Sequence, residues 1–159
     1  MASTDRDNSL RDHLVDNLRG RNAHISFDDF VADFPAKRCG EEIEGLPYTA
    51  WQVLEHMRIA QWDILEFSRN AKHASPKWPE GYWPKPDDLG DAELSQQTAD
   101  RFRSDLEEME RLVADPSTDL FAKIAHGNGQ TVLREALLLA DHNGYHLGVL
   151  VAMNRILQK

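Results

Sequence analysis

The chain has 159 residues, 41% of them apolar and 28% charged, with a formal net charge of −9. This size and balance fit one domain over residues 1–159 with a genuine core. The acidity excludes a nucleic-acid backbone as partner, because that binding depends on clustered Lys and Arg.

The apolar run Ala136 to Ala140, which no other run exceeds, is far short of the roughly 20 residues a membrane span requires. The N-terminal stretch is polar and lacks the apolar segment of a secretory signal, so a cytoplasmic location with no membrane partner is expected. Leu10, Leu14 and Leu18 recur at helical spacing and predict a first helix over about Asp5 to Leu18, stopped by Gly20. Ser26 followed by Asp29 is a capping pattern for a short helix carrying Phe27, Phe30, Val31 and Phe34, closed by Pro35. Cys39 is the sole cysteine, which excludes an internal disulfide and a cysteine-based zinc site. It reads as a dispensable surface thiol in a loop.

Thr49 with Gln52 three residues on forms a capping box that opens a second long helix, running to about Asn70. Its inner stripe is Val53, Met57, Ala60, Ile64 and Phe67. His56 lies three residues from Val53 and four from Ala60, which puts it on the buried face. From Ala71 to Gly90, Pro76, Pro79, Pro84 and Pro86 forbid a helix. This aperiodic stretch also holds Trp78, Tyr82 and Trp83, as anchors against the helices or as the lining of a substrate pocket.

A third long helix begins near Asp91, shows Leu94, Phe102, Leu106, Met109 and Val113, and ends at Asp115-Pro116. Its other faces are dense in charge and read as solvated. After a loop from Ser117 to Gly129, the last helix runs from Gln130 or Thr131 to about Leu157. It is apolar on more than one side around Leu137 to Leu139, and is expected to be the most buried element. With no strand pattern, the fold class is all-α: a four-helix bundle with an extra short helix and long connecting loops.

His142 and His146 stand at i and i+4, with Cβ atoms about 5–6 Å apart on one helix face. That spacing arises often by chance. The apolar setting of the pair and the inward placement of His56 make a shared metal ion the better account of three buried imidazoles. Asn143 stands where a zinc protease of the His-Glu-x-x-His type has its general base, so that class is excluded. Glu55 and Asp141 neighbour the histidines in sequence but point about 100° away, toward solvated roles. His13 and His73 are expected to be exposed, and His24 and His126 to flank loops.

Three segments carry a family resemblance: Ala50 to Met57, Trp78 to Pro84, and above all Leu133 through Gly148 with its Asp141-His142-Asn143-Gly144-Tyr145-His146 core. With these, the chain resembles the DinB/YfiT-like superfamily. The resemblance implies a four-helix bundle, often a homodimer, holding one divalent ion, usually Ni2+ or Zn2+, through one histidine of the second long helix and two of the last. Those positions are His56, His142 and His146 here. It also implies transfer of a low-molecular-weight thiol, such as bacillithiol or mycothiol, in some members.

Three neutral ligands leave a coordination position open, as in catalytic rather than structural zinc sites, and an ion so held acidifies a bound water or thiol. Three functions are therefore expected candidates. The first is a metal-dependent transferase joining a small-molecule thiol to an electrophile. Its electrophile pocket would include Trp78, Tyr82 and Trp83, with Tyr145 hydrogen-bonding near the metal. The second is a metal-dependent hydrolase, and the third a non-enzymatic, stress-linked metal-binding bundle.

Overall fold

The computed structural model describes residues 2–159. Among these the chain forms five α-helices and no strand: α1 (Ala2–Arg19), α2 (Phe27–Asp33), α3 (Ala50–Arg69), α4 (Ala92–Ala114) and α5 (Val132–Leu157). Lone antiparallel bridge pairing joins Lys123 to Thr131. The boundaries follow local chemistry. Ser26 and Asp29 form the expected capping box of α2, and Thr49 and Gln52 that of α3. Asp91 caps α4 by accepting from the Leu94 amide at 2.8 Å, and Thr131 caps α5 through the Arg134 amide. Gly20 leaves α1 at φ +68°, which only glycine adopts freely. Helix α1 begins a turn earlier than its leucine stripe predicts.

Helix α3 packs on α4 and α5, and α1 closes the opposite side against the same two helices. The first half of α3 meets Ala99 and Phe102 of α4 and Leu150 to Leu157 of α5 in one cluster. Its second half meets Met109 and Val113 of α4 and Val132 to Leu139 of α5 in another. Helices α3 and α4 therefore run parallel and α5 runs against them. The chain between α3 and α4 has to return the whole length of α3, which at 20 residues is about 30 Å. A hairpin loop cannot span that distance, and the aperiodic stretch after Asn70 is the crossover that does.

The last helix is not the most buried element; α3 is. Helix α3 is covered on three sides by α4, α5 and the crossover, and buries residues on most of its circumference. Helix α5 buries a single stripe and turns Leu137 outward at 49% exposure, with Leu138 and Ile156 also exposed. Cys39 is likewise not a surface thiol. It is fully buried, its carbonyl accepts the Trp51 amide at 3.0 Å, and burial and the nearby Asp91 charge push its thiol up to about 11. Residues outside regular helices have no periodic face, so nothing in the spacing around Cys39 distinguished inside from outside.

At the far end, Arg11 is buried and serves as a cap for another helix. Its guanidinium donates to the carbonyls of Val113 at 2.8 Å, Asp115 at 2.9 Å and Thr118 at 2.9 Å, and its Nε pairs with Asp7. The last carbonyls of a helix lack intrahelical partners, and one planar fork from α1 satisfies that of Val113 in the last turn of α4 together with those of Asp115 and Thr118 just beyond it.

Candidate metal centre

His56 is carried by α3 and His142 and His146 by the facing turns of α5. His56 is 3% exposed, and the other two are partly buried. The Nε2 atom of His56 lies 3.1 Å from Nε2 of His146 and 3.1 Å from Nε2 of His142. All three donor atoms lie within 4.8 Å of one another, so the group can hold a metal ion.

The proton inventory of His56 favours a cation there. Its Nδ1 lies 2.8 Å from the carbonyl oxygen of Tyr82. A carbonyl only accepts, so Nδ1 carries the hydrogen and Nε2 presents a lone pair. One in-plane lone pair cannot satisfy two imidazoles at 3.1 Å each. A tetrahedral ion with bonds of about 2.0–2.1 Å separates its ligand nitrogens by about 3.3 Å, close to the spacing found. The three imidazoles are also held toward the neutral form that metal binding requires. Burial, reinforced by the neighbouring imidazoles, pulls His142 and His146 down to about 4. Burial lowers His56 as well, against the opposing pull of its bond to Tyr82.

Among the described residues, no fourth histidine, cysteine or carboxylate joins the group, and no carboxylate hydrogen-bonds to the three imidazoles. Glu55 is occupied elsewhere: it pairs with Arg58 at 2.7 Å and accepts from Thr98 at 2.9 Å. Asp141 is exposed, as its position around α5 predicts.

The crossover lies along α3 as a strap, and side chains of α3 hold it. Thr49 donates to the Leu89 carbonyl at 2.9 Å, and Gln52 to that of Asp88 at 3.0 Å. His56 then takes the Tyr82 carbonyl, and Asp63 accepts the Tyr82 hydroxyl at 2.6 Å and His73 Nε2 at 2.7 Å. These four helix residues fall within one narrow arc of α3, because offsets of 3, 7 and 14 residues are close to whole numbers of turns. Their partners run in the opposite chain direction, as the crossover demands. Burial and its bond to Asp63 push the Tyr82 phenol up to about 12. His73 is therefore not exposed: its side chain is 6% accessible, locked by Asp63 and edge-on to Trp62.

The aromatic residues separate into distinct roles. Trp83 is sandwiched between Tyr48, 3.9 Å and 13° away, and the imidazole of His56, 3.9 Å and 2° away. It also lines a cleft of about 490 Å³ with Pro47, Tyr48, Pro79, Pro84 and Pro86. Tyr82 anchors the strap and does not line that cleft. Trp78 is 70% exposed and leans edge-on against Tyr82. Tyr145 is 71% exposed, stands edge-on to His146 with ring centres 4.9 Å apart, and makes no hydrogen bond among the described residues. His13 is exposed as expected; His24 and His126 are exposed, and His126 bonds the carbonyl of Phe67 at 2.8 Å. The residue that sequence reasoning missed is Asp63, whose position two turns beyond His56 on the same face was the available signal. No family model, curated protein or solved structure matches the chain.

Proposed function

We propose that the protein is a DinB/YfiT-like four-helix bundle that binds one divalent ion, Zn2+ or Ni2+, through His56, His142 and His146. Its proposed reaction joins a low-molecular-weight thiol to an electrophile. The observation that carries this reading is a cluster of three imidazoles, held toward the neutral form by burial, with no fourth histidine, cysteine or carboxylate beside it among the described residues. Such a set leaves room for an exogenous ligand, and imidazole suits both zinc and nickel. The bound ion would supply a positive charge that favours thiolate over thiol. The overall change is balanced: R–SH plus R′–X gives R–S–R′ plus HX, with the S–H and R′–X bonds broken and the S–R′ bond formed.

The chain's own groups serve this chemistry in definite ways. His56 is held rigid by Tyr82 and Trp83, so its lone pair stays aimed at the other two imidazoles. The cleft beside Trp83, walled by proline and aromatic rings with Gln52, Glu80 and Lys85 at its edge, would receive the electrophile, and Trp83 links its wall to the His56 ring on which it stacks. Among the described residues no carboxylate stands at the imidazoles, which favours thiol transfer over hydrolysis, because an acidified thiol needs no general base and a water nucleophile is helped by one.

The test has two stages. Calorimetric titration of metal-free protein with zinc or nickel chloride should give one ion per chain, and lose it in His56→Ala and His142→Ala. Cysteine and an aryl halide should then conjugate only with the metal-loaded wild type. Full conjugation after chelation, or in His142→Ala, would overturn the reading.

A further inference from the structure

His56 differs from His142 in having its second nitrogen engaged: Nδ1 of His142 is buried with no hydrogen-bond partner among the described residues, whereas Nδ1 of His56 meets Tyr82. Tyr82 is engaged at both ends. Its main-chain carbonyl takes the His56 hydrogen, and its phenol donates to Asp63. It lies in a stretch where Pro79 and Pro84 have no amide hydrogen and cannot fix the chain by ordinary backbone pairing. Its own amide reaches only the Pro79 carbonyl, at 3.1 Å, within a single short turn. Apart from contacts to His56 itself, what fixes Tyr82 relative to α3 is its side chain, and the receiving atom is Asp63 Oδ2.

Asp63 is 7% exposed and has no Lys or Arg partner among the described residues; its two oxygens take Tyr82 and His73. A buried carboxylate is costly, and packing alone would be served as well by an apolar residue. The arrangement makes sense if the carboxylate controls where Tyr82 sits.

We propose that Asp63 and Tyr82 are positioning residues for His56. Asp63 holds the Tyr82 phenol, Tyr82 thereby presents its carbonyl to Nδ1, and His56 is kept as the Nδ1-protonated tautomer with Nε2 facing His142 and His146. Outer partners of this kind orient metal-binding imidazoles, and their loss typically weakens metal binding about 10- to 100-fold. The consequence for affinity rests on the proposed metal centre; the tautomer does not.

The experiment uses full-length Tyr82→Phe, Asp63→Ala and the double variant, with Leu120→Ala as a core control far from the centre. Nitrogen-15 NMR of the metal-free proteins reads the His56 tautomer. Competition with a chromophoric chelator reads zinc affinity. Wild type should show His56 Nδ1–H alone, and each single variant a mixture of tautomers with zinc affinity lower by 10-fold or more. The double variant should be no worse than the weaker single variant, since the two residues act through each other. The control should lose stability and keep both properties. Unchanged tautomer and affinity in Tyr82→Phe and Asp63→Ala, or the same changes in Leu120→Ala, would refute the assignment. A wild type with the expected tautomer but no zinc binding, whose variants still lose the tautomer, would refute the metal reading and support the positioning roles.

Discussion

Acid should destabilise the metal-free protein through its histidines before its carboxylates titrate. His142 and His146 are held at about 4, against 6.5 for the free side chain. Because the folded values lie below the unfolded ones, the stabilising contribution is present above about pH 6.5 and lost as pH falls toward 4. Between pH 7 and pH 5 each unfolded imidazole takes up a proton that its folded counterpart refuses. The two rings share part of their shifts, and His146 is partly open to solvent, which screens its contribution, so the pair together is worth on the order of 2 kcal/mol. The assay is urea unfolding at pH 7 and pH 5 in chelator-treated buffer, on wild type and on the His142→Gln/His146→Gln variant. Comparing the pH-dependent change within each protein removes the variant's own effect on stability. Wild type should lose about 2 kcal/mol more than the variant over this window, and added zinc should move the wild-type loss to lower pH. Equal losses in the two proteins would show that the imidazoles are not buried in the neutral form.

Three further outcomes follow from other parts of the molecule. Arg11→Lys should lose about 1–3 kcal/mol in urea unfolding, because a single ammonium cannot reach the carbonyls of Val113, Asp115 and Thr118 and hold Asp7 as well; a loss under roughly 0.5 kcal/mol, the scatter of surface changes, would contradict the capping role. Gly90 has φ +82° and a Cβ there would stand 2.3 Å from the Trp51 ring, so Gly90→Ala should cost at least about 1–2 kcal/mol and alter the Trp51 near-ultraviolet circular dichroism. Cys39, buried and poorly ionised, should resist an aromatic disulfide reagent in the native protein and react at the rate of unfolding in urea; rapid native labelling would show that the site is open.

The helices and the three imidazoles were readable because helical order leaves periodic traces. Ser26, Thr49 and Asp91 or their neighbours announced helix starts, and the stripe through Val53, Met57 and Ala60 placed His56 inward. Less was readable where the determining contacts are irregular. The bonds from Thr49, Gln52, His56 and Asp63 to the strap join residues 10 to 40 positions apart and repeat with no period in the strap itself. His73 and Cys39 were misjudged for the same reason: exposure in an irregular segment depends on what lies over it. The last helix misled differently. Its apolar residues on several sides suggested general burial, whereas its neighbours cover one stripe and leave Leu137 facing outward.

The strap has one more property, concerning how order in this protein would be perceived. Along α3 it surrenders carbonyl oxygens, at Tyr82, Asp88 and Leu89, while the amides of Trp83 and Leu89 are free of backbone partners among the described residues. Hydrogen exchange reports on amides and is blind to a carbonyl held by a side chain. The segment that meets His56 would therefore exchange like a loose loop while being pinned to the helix beneath it at Thr49, Gln52, His56 and Asp63. Rigidity here is written in side chains, and a measurement confined to the backbone would mistake the best-anchored part of the centre for the most mobile.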